Sequence, residues 1–397
     1  MSATDHTEHT QGSQRLRVMI SCGEPSGDLY AAALAAELRR LDPDVSIIGF
    51  GGARLRSAGA ELVGDFEGLS VTGLTEALKV LPRSLGLYRR LVNAAKANRP
   101  DVFVPIDFPD FNLILARAIR KLDVPIVYYI SPQLWAWRSQ RITSIKRLVE
   151  RMLVIFPFEV PFYEKAHVPV TFVGHPLVEM SAPRSTPDSF RRAHGIDAGV
   201  PIVALFPGSR GNELRALLPD LVRSAALIGA RVPNARFVLA RAPHLDDELL
   251  APLSAWSPTV APPLLLEHES DDILSAADVA LVASGTATVQ AALHGCPMVV
   301  VYRLAPLTYR LGKPFVRVQT YAMANLIAGR RVVPELIQDD FTPEAAAAEV
   351  LRVLTDPAHA ARVRADLDDV RSRLGGSGAS RRAAEAVLAA ARRQQGS

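Results

Sequence analysis

Cysteine is nearly absent from this sequence, since only Cys22 and Cys296 occur among 397 residues. Both lie in apolar, strand-like segments, so a disulfide-stapled secreted fold is disfavoured and a reducing compartment is indicated. No uninterrupted run of about 18 apolar residues occurs, which argues against a transmembrane helix. The polar residues 1–14 lack an apolar core, so we predict a disordered tail rather than a signal peptide. These absences favour a protein that is cytoplasmic or peripheral to a membrane.

Sequence motifs for several common cofactors are also missing. The loop GEPSGD lacks the GxGxxG spacing of dinucleotide-binding folds, and FPGSRGNE lacks the Lys-Ser/Thr ending of an ATP-binding P-loop. No His/Cys cluster has zinc spacing, and the Asp-x-Asp pairs lie away from the strand ends where a metal is expected. A net charge of +4 is too small to indicate nucleic acid. We therefore expect no cofactor, no metal and no nucleic-acid partner.

The chain does contain a regular alternation of strand-like and helical segments. In the first half the predicted strands are 16–22, 45–52, 101–108, 125–131, 151–158 and 170–176. In the second half they are 201–208, 235–243, 278–284 and 297–303. Such alternation predicts an α/β fold in which helices cover both faces of parallel sheets.

The length and the distribution of proline predict two domains. The segment 178–198 is rich in proline and small polar residues, so we place a linker there between domains at 15–178 and 199–340. From 341 to 397 the chain is helical in pattern, with a break at GGSG. Two parallel α/β domains enclose a cleft, and ligands bind beyond the carboxyl ends of parallel strands. The loops that follow strands are therefore the candidate sites.

The loop 23–28, GEPSGD, follows the first strand and begins a helix. Gly23 and Gly27 allow close backbone approach, and the helix start presents N–H groups to an anion or a sugar hydroxyl. Glu24 and Asp28 are candidate ligands for hydroxyl groups. The alternative is a simple turn in which Asp28 caps the helix.

A second loop, PIDFPDFN, places Asp107 at the end of an apolar strand, followed at once by Asp110 and Asn112. A carboxylate at the end of a buried strand, where the chain enters a cleft, can have a raised pKa and can then act as a general base. The alternative is that one of the two aspartates only caps the next helix, which suits Asp110 better than Asp107.

Three further loops are candidates for binding sugar, lipid phosphate or diphosphate. Tryptophans and basic residues in 130–147 predict a wall of the site, or alternatively an amphipathic helix whose tryptophans pack inward. In FPGSRGNE, Arg210 can bind a diphosphate bidentately. Ser-Gly-Thr at 284–286 begins a helix directly after a strand, where the helix dipole favours phosphate.

The segment 69–90 interleaves leucines with basic residues, among them Leu78, Leu81, Lys79 and Arg83. A basic amphipathic segment can lie at a lipid interface. An ordinary surface helix with its leucines turned inward fits the same pattern.

Together these stretches resemble the lipid-A-disaccharide synthase family, from about residue 16 to residue 340. The stretches that carry the resemblance are GEPSGD, the segment 49–76 with GLTEAL near its end, PDVFVPIDFPDFNL, YYISPQLWAWR, PFEVPFYEKAHVPVTFVGHPL, LFPGSRGNEL, ASGTATVQAALHGCPMVVVYR and NLIAGRRVVPELIQ. The resemblance implies a GT-B fold, with two Rossmann-like parallel-sheet domains that face each other across a cleft. It also implies C-terminal helices that return to the first domain.

The activity that the resemblance implies is an inverting, metal-free transfer. UDP-2,3-diacylglucosamine and 2,3-diacylglucosamine 1-phosphate (lipid X) would give an acylated β-1,6 disaccharide 1-phosphate and UDP. The resemblance makes Asp107 the catalytic base. The substrate-binding residues that position and resemblance indicate are Glu24, Ser26, Gly27, Asp28, Asp110, Trp135, Arg138, Gly208, Ser209, Arg210, Ser284, Gly285, Thr286, Gln290, Asn325 and Arg330.

Acylated substrates imply an enzyme at the cytoplasmic face of the inner membrane, with 69–90 as the contact segment. The sequence does not determine the oligomeric state, and a homodimer is one of the alternatives. Gln290 stands where the family usually has a glutamate that accepts from the ribose hydroxyls, so one acceptor oxygen remains without its charge. The alternatives are another UDP-sugar transferase or epimerase of the same fold, and a degenerate nucleotide or lipid binder.

Overall fold

The computed structural model describes residues 15–66, 74–136, 139–243, 245–304 and 320–395, without the side chains of 74–81. The predicted tail and the predicted site residue Arg138 lie outside these ranges, as does part of the predicted membrane segment.

Seven parallel strands form the first sheet in the described part of the chain. They are β1 (Arg17–Cys22), β2 (Ser46–Gly51), β3 (Glu61–Asp65), β4 (Val102–Ile106), β5 (Val127–Tyr129), β6 (Arg151–Val154) and β7 (Val170–Phe172). Their order in the sheet is β3-β2-β1-β4-β5-β6-β7. The order reverses direction between β1 and β4, which creates a crevice where the loops after these two strands diverge.

Six parallel strands form the second sheet within the same described ranges. They are β8 (Ile202–Phe206), β9 (Arg236–Arg241), β10 (Leu264–Glu267), β11 (Val279–Ala283), β12 (Met298–Tyr302) and β13 (Glu335–Ile337). Their order is β10-β9-β8-β11-β12-β13, so the reversal lies between β8 and β11. The prediction of a doubly wound α/β fold with two Rossmann-like domains is confirmed.

The central strands are apolar because helices cover both of their faces. Every residue of β4, β8 and β11 is buried. Strands covered on both sides read as continuous apolar runs rather than as alternating patterns. The central strands are therefore recognisable in the sequence as apolar runs. Because these strands are fixed in the core, the loops that follow them begin at fixed positions.

The described helices pack on the faces of the two sheets. The first domain carries α1 (Pro25–Leu41), α2 (Ala53–Ser57), α3 (Leu74–Asn98), α4 (Pro109–Arg120), α5 (Ile142–Leu148) and α6 (Glu159–Lys165). The connecting segment and second domain carry α7 (Leu177–Met180), α8 (Pro187–Ala193), α9 (Gly211–Arg231), α10 (Ser270–Ala276), α11 (Thr286–Leu293) and α12 (Met323–Ala328). The chain ends in α13 (Pro343–Thr355), α14 (Pro357–Arg373) and α15 (Ala379–Gln395). Short 3-10 helices cover Ser139–Arg141, Asp247–Ala255 and Gln338–Asp340.

The last helix, α15, packs on α1 of the first domain. The amide of His175 donates to the carbonyl of Leu374 at 2.9 Å, and Arg382 Nε donates to the carbonyl of Val173 at 2.8 Å. These hydrogen bonds join the end of the first sheet to the turn before α15. Since α13 packs on α9 of the second domain, the C-terminal segment is part of the packing of both domains.

The connection between the sheets is tied to the second domain. Ser185 donates from its amide and its hydroxyl to Asp272, at 2.7 and 2.8 Å. His194 lies 3.0 Å from Glu269. Both carboxylates belong to the start of α10 or the residue before it, so the segment predicted as a linker contains α8 and packs against α10.

Candidate active site

In each sheet, the strand order reverses between two neighbouring strands, and a loop follows each of these four strands. The loops after β1 and β4 carry Glu24 and Asp107, and the loops after β8 and β11 carry Arg210 and Ser284. In open parallel sheets this is where ligands bind. The sequence-derived candidates in these four loops therefore lie at the carboxyl edges of both sheets.

An ion pair joins the two domains across the cleft. Arg210 Nη2 donates to Glu24 Oε2 at 2.8 Å, although the two residues are 186 positions apart. Both side chains are well exposed, at 54% and 42%. The contact shows that the loop after β1 faces the loop after β8, and that their charged groups are open to the cleft.

Asp107 is half-buried beside this ion pair. Burial, and then the negative charge of Glu24, raise the pKa of Asp107 to about 7, while the Phe108 amide and the positive charge of Arg210 act to lower it. A carboxyl group with a pKa near neutrality exchanges protons readily at physiological pH, which is what a general base requires.

The turn after β4 is tight and depends on a small residue opposite it. Phe108 lies directly after Asp107, and a Cβ atom on Gly23 would overlap its ring. Glycine at 23 therefore lets the loops after β1 and β4 pack closely. This accounts for one glycine of GEPSGD as a packing requirement of the site.

Asp28 takes a structural place rather than an open one. It is 3% exposed, and its carboxylate accepts from the amides of Gly52, Arg54 and Leu55 at 2.7, 3.0 and 3.1 Å. Asp28 thus holds the start of α2 against α1. The neighbouring Ser26 is half-buried.

Gly27 is buried between Asp28 and the end of β1. An added Cβ there would lie 3.2 Å from the Cβ of Cys22. Gly27 therefore permits α1 to start close to β1. In the same loop, Glu24 is the residue whose charged group faces the cleft.

Asp110 and Trp135 both have partners among the protein side chains. Asp110, in the first turn of α4, forms an ion pair with Arg141. The indole of Trp135 donates to Glu159 at 3.3 Å and packs edge-on against Phe158. Trp135 is therefore turned inward, as in the alternative interpretation of the segment 130–147.

The loop after β8 is held by a carboxylate of its own helix. Glu213 Oε2 accepts from the amides of Ser209 and Arg210 at 3.0 and 3.2 Å. Gly208 has a φ of +105° and lies against Glu213 with no room for a side chain. Glu213 is not among the residues predicted from the sequence, although an acidic residue three positions after the N-cap residue, here Arg210, is a capping signal that could have revealed it.

The loop after β11 is different because its helix start is open. Gly285 and Thr286 are exposed and Ser284 is half-buried, and no side chain of the described residues caps α11. Helix starts of this kind present N–H donors and a positive dipole to anions. Of the loops after β8 and β11, this one therefore leaves its helix start more accessible.

Gln290 lies on α11, one turn after this opening. Its amide donates to Asp271 Oδ1 at 3.2 Å, and His294 lies 2.9 Å from the same oxygen. Asp271 also accepts from Ser181 of the connecting segment. One polar end of Gln290 is therefore oriented by a carboxylate at the domain boundary.

Asn325 and Arg330 are engaged by protein groups. Asn325 is buried, accepts from the amides of Val332 and Val333, and donates to Glu335 at 2.6 Å. Arg330 Nη2 donates to Asp366 of α14 at 2.6 Å and remains 54% exposed. Asn325 thus shapes the turn after α12, and Arg330 ties that turn to the C-terminal helices.

The described residues contain no group of three or more His, Cys, Asp or Glu side chains that could hold a metal ion. In the same ranges, no helix has the length and apolar character needed to cross a bilayer.

Solved structures of an epimerase and of a glycosyltransferase share this architecture. UDP-GlcNAc 2-epimerase from Neisseria meningitidis, bound to UDP-GlcNAc, has a TM-score of 0.68 at 14% identity, over 94% of this chain and 100% of that one. CalG4, the calicheamicin glycosyltransferase, has a TM-score of 0.62 at 19% identity, over 96% and 99%. At such identities the likeness shows the fold alone, and it defines the protein as a member of the GT-B structural class.

Sequence comparison narrows the class to one family. The family model for lipid-A-disaccharide synthetase matches residues 18–390. The lipid-A-disaccharide synthase of Geobacter sulfurreducens is 44% identical over 97% of this chain and 98% of its own length. That of Myxococcus xanthus is 44% identical over 94% and 97%. The chain belongs to the lipid-A-disaccharide synthase family and is a glycosyltransferase; an epimerase or a degenerate binder is not favoured.

Proposed function

We propose that this chain joins UDP-2,3-diacylglucosamine to the 6-hydroxyl of 2,3-diacylglucosamine 1-phosphate, giving a β-1,6 disaccharide 1-phosphate and UDP. Family membership supports the reaction. The observation that carries the chemistry is the meeting of Asp107, Glu24 and Arg210 at the cleft. A base on the first domain then faces a cation on the second.

In the proposed step the acceptor oxygen attacks the anomeric carbon of the donor from the side opposite the diphosphate. The 6-hydroxyl proton passes to the carboxylate of Asp107 as the new C–O bond forms. The bond from the anomeric carbon to the diphosphate oxygen breaks, and its electron pair leaves with UDP. Attack from the opposite face converts an α-linked donor into a β-linked product.

The leaving diphosphate needs stabilisation of its growing negative charge. We assign this to Arg210 and to the open start of α11 at 284–286, both on the second domain. Preorganised donors of this kind stabilise charge that develops in the transition state. We also assign to Gln290, one turn further along α11, a contact in which its side-chain carbonyl oxygen accepts from the ribose hydroxyls.

The test of this proposal is UDP release from UDP-2,3-diacylglucosamine in detergent micelles, with and without lipid X and with EDTA present. We expect release that requires lipid X, survives EDTA and is matched by disaccharide 1-phosphate. UDP binding without release in the presence of lipid X would contradict the proposed substrates.

We further propose that the enzyme works at a bilayer surface through α3 and α4, because both substrates carry acyl chains. Leu85 and Ile114 are exposed at 48% and 51%, and Arg83, Arg89 and Arg117 are exposed on the same two helices. Exposed leucine or isoleucine side chains flanked by arginines are typical of contact with anionic lipid.

Co-sedimentation with vesicles containing anionic phospholipid tests this surface. Leu85→Ser is expected to weaken vesicle binding by about 10-fold, because it removes a leucine side chain that the lipid would bury on contact. Leu227→Ser is the matched control, since Leu227 is 39% exposed but lies on α9 of the second domain. Equal binding of both variants and the unchanged protein would rule out this face.

A further inference from the structure

The backbone at the end of β4 adopts an uncommon conformation. Asp107 and Phe108 have φ values of +43° and +49°, and neither is glycine. Residues with a Cβ atom avoid this region unless surrounding contacts fix them there, and such positions cluster at functional sites. Contacts with neighbouring groups must therefore hold the Asp107 peptide in this conformation.

Two side chains donate to the same backbone carbonyl. The hydroxyl of Tyr128 and the side-chain amide of Asn112 both donate to the carbonyl oxygen of Asp107 at 2.8 Å. Tyr128 comes from the neighbouring strand β5 and is fully buried. Asn112 comes from the first turn of α4. The carbonyl is therefore fixed from two different elements.

Asn112 is in turn fixed by the centre of the sheet. Its Oδ1 accepts from the hydroxyl of Ser21 at 2.6 Å, and its Nδ2 also lies 3.2 Å from the carbonyls of Ser21 and Ile106. Ser21 and Asn112 are both fully buried. A satisfied buried network of this kind is rigid, because leaving any member unpaired is costly.

We propose that Tyr128 and Asn112 are positioning residues for the transfer reaction, holding the Asp107 peptide so that its carboxylate turns from the sheet into the cleft. This inference rests on the proposed role of Asp107 as the base. The pair fixes the peptide carbonyl on the sheet side. The carboxylate of Asp107 interacts electrostatically with Glu24 and Arg210 at the cleft, and also with the hydroxyl groups of Tyr30 and Tyr128.

The geometry explains why the network is polar rather than apolar. Packing alone would be served as well by phenylalanine and leucine at these buried positions. The hydroxyl of Tyr128 and the side-chain amide of Asn112 both donate to one carbonyl, and they thereby fix the orientation of the Asp107 peptide. A displacement of a base by about 1 Å can lower turnover by about 100-fold. The orientation of the Asp107 peptide therefore affects the rate of transfer.

Tyr128→Phe removes one donor while keeping the ring. We expect kcat to fall by about 10-fold with an unchanged KM for either substrate, in line with partial misplacement of the base. The rising limb of the pH–rate profile is expected to move to lower pH, because a loosened carboxylate is better solvated. Asn112→Ala is expected to lower kcat further, and thermal unfolding reports how much of its effect is lost stability.

Tyr129→Phe is the matched control, as Tyr129 is the next residue of β5 and packs with the core cluster on the other face of the sheet. Its pH profile should be that of the unchanged enzyme. If Tyr128→Phe matches Tyr129→Phe in kcat and pH profile while Asp107→Asn is inactive, the base stands and the positioning role is wrong. If Asp107→Asn keeps full turnover, the base assignment fails and the positioning role with it.

Discussion

Asp107→Asn is expected to lower turnover by about 10²- to 10⁴-fold, the usual contribution of a general base. Asparagine has nearly the same size and keeps an acceptor oxygen, but it cannot take the proton of the 6-hydroxyl. Substrate binding should change little, since the fold around the position is retained. The measurement is disaccharide formation under saturating donor and acceptor, with KM determined for each.

The pH dependence of kcat/KM gives an independent check on Asp107. Its pKa is raised to about 7, and the active form is the deprotonated one. Activity should therefore be lost as the pH falls below about 7 and be fully present above it. In Asp107→Asn this limb should disappear from whatever activity remains.

Asp110→Asn is the control for this prediction, because Asp110 lies three residues away on the exposed start of α4. It should keep turnover within a few-fold, since Asp110 lies in the first turn of α4 and not at the end of the buried strand β4. A loss at Asp110 as large as the loss at Asp107 would place the base on α4 instead.

The fold was predictable from sequence where strands are central, and less so at the edges. The strands missing from the prediction are β3, β10 and β13, and each lies at an edge of its sheet. None of the residues of β3 or β10 is buried. Edge strands are short and partly exposed, so they lack the continuous apolar run that marks a central strand.

The site was predictable to the extent that strand ends determine it. Asp107 and Arg210 follow central strands directly, so topology alone brings them to the cleft. Asp28, by contrast, bonds to amides more than 20 positions away, and Arg330 pairs with Asp366 of a C-terminal helix. A motif gives residue types and order, but it does not show which partner a polar side chain finds after folding.

The Glu24–Arg210 pair suggests how the cleft is prepared for the donor. An exposed ion pair stabilises by only about 0–1 kcal/mol. A diphosphate offers more oxygens to the same guanidinium and can bind it bidentately. In the proposed reaction, Glu24 would therefore hold Arg210 across the cleft until the diphosphate of the donor displaces it.

Arg210→Ala is expected to lower kcat by about 10²- to 10³-fold, as for removal of one donor that stabilises developing negative charge. It should also weaken UDP binding, because ground-state contacts to the diphosphate are lost. The two effects are separable by measuring kcat under saturating donor and the Kd of UDP by calorimetry. A loss confined to Kd would mean that Arg210 binds the donor without acting on the transition state.

Arg223→Ala provides the comparison on the same helix, α9. Arg223 is 72% exposed and pairs with Asp220 one turn away, so it should change neither kcat nor the Kd of UDP. Glu24→Gln removes the carboxylate that competes with the diphosphate for Arg210. It therefore separates the role of Arg210 in binding the diphosphate from its role in joining the domains. If UDP bound equally well to Arg210→Ala and to the unchanged enzyme, the diphosphate would have to lie at the α11 start alone, and the cation across from Asp107 would serve only to join the domains.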